Sequence, residues 1–483
     1  MTAEHARDLP ELPEDIHKIH IVGICGTAMG SLAAMLKERG FDVRGSDAMA
    51  YPPMSTWLEE GGIDIMMGYD ESNLAWGPDL VVIGNVVRAE YADAVAARAL
   101  DIPSISLPEA LRVFFLEDKK SLVLTGTHGK TTTTSMLSWI LFQADKNPSF
   151  LVGGITGNFQ SNFRLDDGDV FVIEGDEYDT AYFDKVPKFW HYKPFRATIN
   201  NIEYDHADIY PDIEAIEHVF RRLVQLIPAN GSLWVNGDDA RAVEIASACD
   251  AKVSTFGLGE TNDLRATHIT LGEDATTAQV SLRGQSLGTF TLATMGEFNV
   301  RNMLGAMAIA MDEGVDVETC REALASFQSV KKRQELIGEV HGITILDDFA
   351  HHPTAVKSTV EALRARYPDR TLHVVFEAKS NTSRRKVFQH DYPGAFAQAD
   401  RVILSNVWKK DNLPEDQLLD IQELRADIEK LGPPTSLMPQ VDDIVAHLTD
   451  TLQPGDVVAG LSGSAFDDFH RKLLRSLQAK YDA

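Results

Sequence analysis

One segment limits the architecture of this chain more than any other: Leu122-Val123-Leu124-Thr125-Gly126-Thr127-His128-Gly129-Lys130-Thr131-Thr132. The apolar run reads as a strand buried on both faces, glycines bracket the turn after it, and Met136, Leu137 and Ile140 continue at helical spacing. A strand that turns through glycine into a helix belongs to a parallel α/β sheet and points the helix's unpaired N–H groups past the sheet's carboxyl edge. Such a turn can cradle phosphates. Gly126 and Gly129 let the backbone approach phosphate oxygens, with Thr127 and Thr132 beside them; Lys130 neutralises the β and γ phosphates, and the Thr131 hydroxyl can ligate magnesium. The spacing is shorter than that of the common phosphate loop, whose first glycine would fall at Leu124.

The same strand–helix rhythm recurs on either side. It appears in Ile19 to Val22, Leu32 to Lys37, Phe41 to Val43 and Leu80 to Ile83, and again in Ile343 to Leu346, Leu372 to Phe376, Arg401 to Leu404 and Val457-Val458. At 483 residues the chain is too long for one core. Three domains are expected: 1–118, 119–330, which begins at the polar stretch Glu117 to Lys120, and 331–483, which begins at the basic cluster Lys331-Lys332-Arg333. Alternation within 252–292 predicts antiparallel strands, and Phe469, Leu473, Leu474 and Leu477 make one buried helix face.

Further constellations follow strands. Glu174 directly succeeds Val170 to Ile173 and heads the acidic group Asp176, Glu177 and Asp179, which reads either as a solvated loop or as hard ligands for magnesium at a sheet edge. His206 stands among carboxylates in Asn200 to Asp208, open to a structural role or to a metal or substrate site. Asn299 and Asn302 open an apolar helix and could address adenine, while Asp348 could accept hydrogen bonds from ribose hydroxyls and His351 could approach a terminal phosphate; taken alone, Asn299 reads as a cap and Asp348 as a turn residue. Gly23, Gly26 and Gly30 lack dinucleotide-fingerprint spacing, so the loop Gly23 to Gly30, with Thr27 and the later Ser46-Asp47, suits one diphosphate or a plain glycine turn.

A net charge of −27 opposes nonspecific attraction to nucleic acid or an anionic membrane. Cys25, Cys249 and Cys320 show no paired pattern, and no apolar run is long enough to span a bilayer, so a reducing, cytoplasmic setting is expected.

In their order along the chain, Gly-Thr-His-Gly-Lys-Thr at 126–131, Glu174, Asn201 to His206, Asn299 with Asn302, and Asp348 to His351 resemble the Mur ligase family. Within it, Gly23 to Thr27, Tyr51 to Thr56, Asp176 to Thr180, His206 to Asp208, Asp347 to Thr354 and Glu377 to Thr382 point to the members that attach a peptide rather than one amino acid. The resemblance implies an α/β chain of three domains, Rossmann-like at both ends around a central phosphate-loop ATPase. It implies ATP and Mg2+, and ligation of UDP-N-acetylmuramate to L-alanyl-γ-D-glutamyl-meso-diaminopimelate through an acyl phosphate.

By the same resemblance Lys130, His206 and His351 are catalytic, and Thr131, Glu174 and His206 hold metal. Asn299, Asn302, Arg333 and Asp348 join the nucleotide site, Gly23, Gly26, Thr27, Ser46 and Asp47 the UDP end, His128, Gly153 and Gly154 the muramyl end, and Lys379, Asn381 and Arg384 the peptide carboxylates. Those last three also read as a solvated patch. Two departures stand out: Arg221 and Arg222 occupy the neighbourhood where several family members carry a modified lysine, and Gly175 replaces an expected alanine. An alanine-adding ligase is the alternative reading, a nucleotide-binding regulatory module one of another class, and an NAD-dependent oxidoreductase would leave Lys130 and Glu174 unexplained.

Overall fold

The computed structural model describes residues 5–50, 54–272, 275–407 and 413–481. Tyr51 to Pro53, singled out above, lie outside the described residues. The first sheet is parallel throughout, with Lys18–Val22 at its centre between Asp42–Asp47 and Leu80–Ile83, and with Asp64–Met67 and Ser104–Ser106 outside them. Ile19, Ile21, Val82 and Leu32 are fully buried on it, as the alternation of apolar strands with an amphipathic helix, Thr27–Glu38, requires.

The second sheet has ten strands. Its parallel centre places Lys120–Thr125 between Pro194–Ile199 and Val170–Gly175, and the expected antiparallel strands, Leu264–Leu271, Thr276–Leu282 and Gln285–Leu292, extend one edge. Helix Lys130–Gln143 is buried around most of its circumference and packs on helix Glu297–Asp312, so neither carries a strongly polar face. The third sheet runs Glu335–Val340, Ile343–Asp348, Val457–Ser462, Leu372–Glu377, Arg401–Leu404 and Thr435–Leu437, parallel except for its first pair. Phe469, Leu473 and Leu477 cover it, with Leu474 packed alongside.

The passage from the second sheet to the third is bonded on both flanks. Lys331 N–H donates to the Ile155 carbonyl at 2.9 Å, Val330 bridges Thr156, and Phe349 N–H donates to the Lys332 carbonyl at 2.8 Å. The three thiols are free, and burial pushes Cys320 up to about 12. Among the described residues no helix is long and apolar enough to cross a membrane.

Candidate functional site

The turn from strand Lys120–Thr125 into helix Lys130–Gln143 is made by two glycines at positive φ, Gly126 at +134° and Gly129 at +85°. Gly129 caps the helix in the left-handed region, which glycine enters without a Cβ penalty, and a Cβ there would strike the amide of Asn302. Thr127 ties the loop to the next parallel strand's connection: its hydroxyl donates to the Glu203 carbonyl and accepts from Glu203 N–H at 2.8 Å. Lys130 folds back over the loop, donating to the carbonyls of Gly126 and Thr127 at 2.7 and 3.2 Å and to both oxygens of Glu177 at 3.0 and 2.9 Å.

Two carboxylate groupings face this turn. In the first, Thr131 Oγ1 donates to Glu174 Oε2 at 3.1 Å, Gly153 N–H donates to the other oxygen, and Arg333 reaches Thr131 Oγ1 at 3.4 Å. Burial pushes the Glu174 carboxyl up, and the Gly153 N–H and Lys130 pull the other way. Gly175 is required here, because a Cβ would run into Thr125 and lie 2.9 Å from Val123 on the paired strand. In the second grouping, His206 Nε2 lies 3.2 Å from Glu177, and Asp176 is paired with Lys188. Burial alone would depress His206, but Asp205 and Glu177 raise it to about 9. Against the same burial, Lys188 and Lys130 hold Asp176 well below the usual carboxylate range.

The expected metal residues thus divide into a Thr131–Glu174 pair and an Asp176–Glu177–His206 cluster whose ligand atoms lie within 4.8 Å of one another. A hydroxyl and a carboxylate at a phosphate loop are the hard oxygen donors that magnesium takes, so the residues fit that ion. Arg221 and Arg222 play no part: Arg221 pairs with Glu244 and Arg222 contacts His5.

Asn299 and Asn302 sit behind the loop and are nearly buried. Asn302 Nδ2 donates to Asn299 Oδ1 at 3.1 Å, Asn299 Nδ2 to the Met295 carbonyl at 2.8 Å, and Asn200 Nδ2 to Asn302 Oδ1 at 3.2 Å. Much of their amide capacity is spent shaping the wall of the site. Asp348 accepts from Gln334 and Ala350 N–H, each at 2.8 Å, and burial pushes its carboxyl up while Arg333 opposes that. His351 lies against Gly463 with Nδ1 2.9 Å from the Phe349 carbonyl.

At the first sheet, Gly23 N–H donates to the Ser46 carbonyl at 2.8 Å and Cys25 N–H to Asp47 Oδ2 at 2.9 Å, leaving Gly26 and Thr27 exposed at the helix start. Ser46 meets this loop through its backbone. Its hydroxyl turns inward to Asp93 at 2.6 Å and His20 at 3.1 Å, so only its carbonyl serves the loop. Gly153, expected near a sugar acid, lies on Glu174, and Gly154 packs near Thr131. Asn381 also does more than line a patch. Its Nδ2 donates to Tyr178 Oη and Asp208 Oδ2, both at 2.9 Å, and Arg384, nearly buried, donates to its Oδ1 at 3.2 Å. Lys379 Nζ lies 3.8 Å from Glu377.

Several contacts of the candidate site carry no mark in the sequence. Glu177 stands among four acidic residues with nothing to mark it as the partner of Lys130, and the joining of Asn381 to Tyr178 and Asp208 requires the third sheet's loop to be placed. His128 meets Glu203 at 3.4 Å and stacks at a tilt on His352 with ring centroids 4.6 Å apart, a meeting of segments more than 200 residues apart.

Comparison with known proteins gives a consistent result. Residues 18–118 match the family model described as Mur ligase family, catalytic domain, residues 124–310 match the Mur ligase middle domain, and residues 332–464 match the Mur ligase glutamate ligase domain. The chain is 39% identical, over 96% of its length and 99% of the relative's, to an Escherichia coli K12 protein named UDP-N-acetylmuramate-L-alanyl-gamma-D-glutamyl-meso-2,6-diaminoheptandioate ligase. It is 32% identical to the UDP-N-acetylmuramate-L-alanine ligase of Clostridium acetobutylicum, over 93% and 95% of the two chains. The crystal structure of a murein peptide ligase from Psychrobacter arcticus superposes with a TM-score of 0.71 at 33% identity, covering 96% of this chain and 99% of that one.

Proposed function

The chain belongs to the Mur ligase family, and from that membership we propose that it joins the carboxylate of UDP-N-acetylmuramate to the amine of L-alanyl-γ-D-glutamyl-meso-diaminopimelate at the expense of ATP, in peptidoglycan recycling in the cytoplasm. The observation that carries the reading is the pairing of a phosphate loop with Glu174: Lys130 and Thr131 open the helix, and Glu174 lies on the Thr131 hydroxyl.

The chemistry follows from the leaving group. A carboxylate does not acylate an amine because oxide would have to leave. Transfer of the γ-phosphoryl group to one carboxylate oxygen gives an acyl phosphate and ADP; the amine then attacks the carbonyl carbon, loses a proton, and inorganic phosphate departs. Lys130 and the helix N–H groups hold the transferred phosphoryl, a positioning and electrostatic task. Thr131, Glu174 and His206 are the residues that would hold magnesium, which supplies charge neutralisation to the phosphates when bound. We assign Asn299, Asn302, Arg333 and Asp348 to the walls of the nucleotide site, the loop Gly23 to Thr27 with Asp47 to the uridine diphosphate, and the Lys379 to Arg384 loop to the peptide. A three-part division at 118/119 and 330/331 accompanies this assignment.

The test is mass spectrometry of products from ATP, magnesium, UDP-N-acetylmuramate and equimolar L-alanine and diaminopimelate tripeptide. The UDP-muramyl-tripeptide is the expected product. A UDP-muramyl-alanine product would move the chain to the alanine-adding relatives, and ATP binding without any coupled product would overturn the ligase reading.

A further inference from the structure

Apart from the magnesium residues, three side chains converge where the phosphate loop meets the start of helix Pro353–Arg366: His128, Glu203 and His352. Nε2 of His128 is 3.4 Å, and Nδ1 of His352 3.6 Å, from the same oxygen, Oε2 of Glu203, and the three atoms all lie within 4.8 Å of one another. Donors held tetrahedrally at zinc's usual bond lengths stand roughly 3.3–3.6 Å apart. Both nitrogens are therefore already at ligand spacing from the carboxylate.

Neighbours fix the tautomer of His352. Its Nε2 lies 3.1 Å from the Tyr204 carbonyl, which only accepts, so Nε2 carries the hydrogen; Nδ1 accepts a long bond of 3.3 Å from Thr354 N–H as it caps the helix. Nδ1 therefore carries no hydrogen toward Glu203 Oε2, 3.6 Å away, and its single lone pair, now given to the long Thr354 N–H bond, would pass to a cation bound between the two acceptors. The supporting groups suit a metal site as well. Thr354 Oγ1 donates to Glu203 Oε2 at 2.6 Å, and the Tyr204 carbonyl orients the imidazole, the kind of outer contacts that ligating carboxylates and histidines make. A cleft of about 450 Å³, lined by Glu203, His352, Thr354 and Arg241, opens onto the site and gives an ion its entry path.

We propose that His128, Glu203 and His352 form a binding site for a transition-metal dication of the zinc type, distinct from the Thr131–Glu174–His206 set. Two imidazole nitrogens and one carboxylate oxygen suit zinc rather than magnesium, which prefers all-oxygen surroundings. His128 belongs to the phosphate loop and His352 caps a helix of the third sheet's layer. An ion shared by them ties the loop at Gly126 to Gly129 to the part of the chain that carries Asp348 and Asn381.

The probe is Co2+, added to metal-free full-length protein in excess magnesium while the visible absorption of four-coordinate cobalt is followed. One equivalent is expected to produce the bands, and zinc to abolish them. Glu203→Gln and His352→Phe should each weaken binding at least ~100-fold, by analogy with the 10–100-fold effect of outer-shell substitutions, while His206→Asn retains the bands. Absence of bands in the wild type overturns the proposal, as do bands that survive His352→Phe and vanish in His206→Asn. A zinc-soaked wild-type crystal tests the site without any variant: an anomalous peak among the three side chains supports it, and a peak only beside Glu174 overturns it.

Discussion

Lys130 Nζ rests 3.0 and 2.9 Å from the two carboxylate oxygens of Glu177, which is almost fully buried. On the proposed assignment of Lys130 to the phosphates, Glu177 occupies the electrostatic place of a phosphate, and an incoming nucleotide would have to outcompete it. Lys130→Met is expected to lower ADP formation by ~10²–10³-fold, the range seen when one donor to a transition-state oxyanion is removed. It also leaves Glu177 with His206 as its remaining charged partner, so the melting temperature falls. Glu177→Gln in the same chain should restore the melting temperature and leave turnover low, which calorimetry and a coupled ADP assay read separately.

Glu174→Gln keeps the bond from Gly153 N–H but removes a full negative charge beside Thr131. The magnesium concentration giving half-maximal turnover should rise at least ~10-fold, since the ion favours charged oxygen ligands. An unchanged magnesium titration would remove Glu174 from the metal set.

Gly129→Ala combines a φ of +85° with a Cβ directed at Asn302. The left-handed conformation alone costs a non-glycine residue about 1–2 kcal/mol, and the displaced Asn302 loosens its bond from Asn200. Chemical denaturation should show that loss or more, together with weaker ATP binding.

His470 and Asp347, 3.5 Å apart in the third sheet's core, carry opposite pH dependences. Burial holds His470 down to about 4, so between pH 6.5 and 4 the unfolded chain binds the extra proton and stability falls as pH falls. Burial holds Asp347 up to about 6, so between pH 6 and 3.8 the folded chain binds the extra proton and stability rises as pH falls. Each shift corresponds to about 3 kcal/mol, superposed on the fall in stability that His352, which burial also holds down to about 4, brings on acidification. Relative to the wild type, His470→Phe should gain stability on acidification across that window and Asp347→Asn should lose it; urea titrations of all three proteins at pH 4, 5 and 6 check both differences.

The sequence was most legible where local chemistry and topology coincide. Glycine and lysine after an apolar strand located the tight strand-to-helix turn at Gly126 to Lys130, and the strand–helix alternation located all three sheets, because period and turn residues are local signals. The partner of the Ser46 hydroxyl is something periodicity cannot reveal, because that hydroxyl answers to Asp93, 47 residues away. Asn381 and His352 were unreadable as partners of Tyr178 and Glu203 because those pairs form only when the second and third sheets meet.

The bonded passage at Val330 to Arg333 has a consequence for how such a chain can vary. Connections between folding units usually tolerate added residues, since lengthening a loop costs little entropy. Here the connection pairs with Ile155 and Thr156 on one side and Phe349 on the other, and its Arg333 touches the Thr131 hydroxyl. An insertion at this point would carry Arg333 away from Thr131 and break the pairing on both flanks, so length variation should be confined to other surface turns while this joint keeps a constant count of residues.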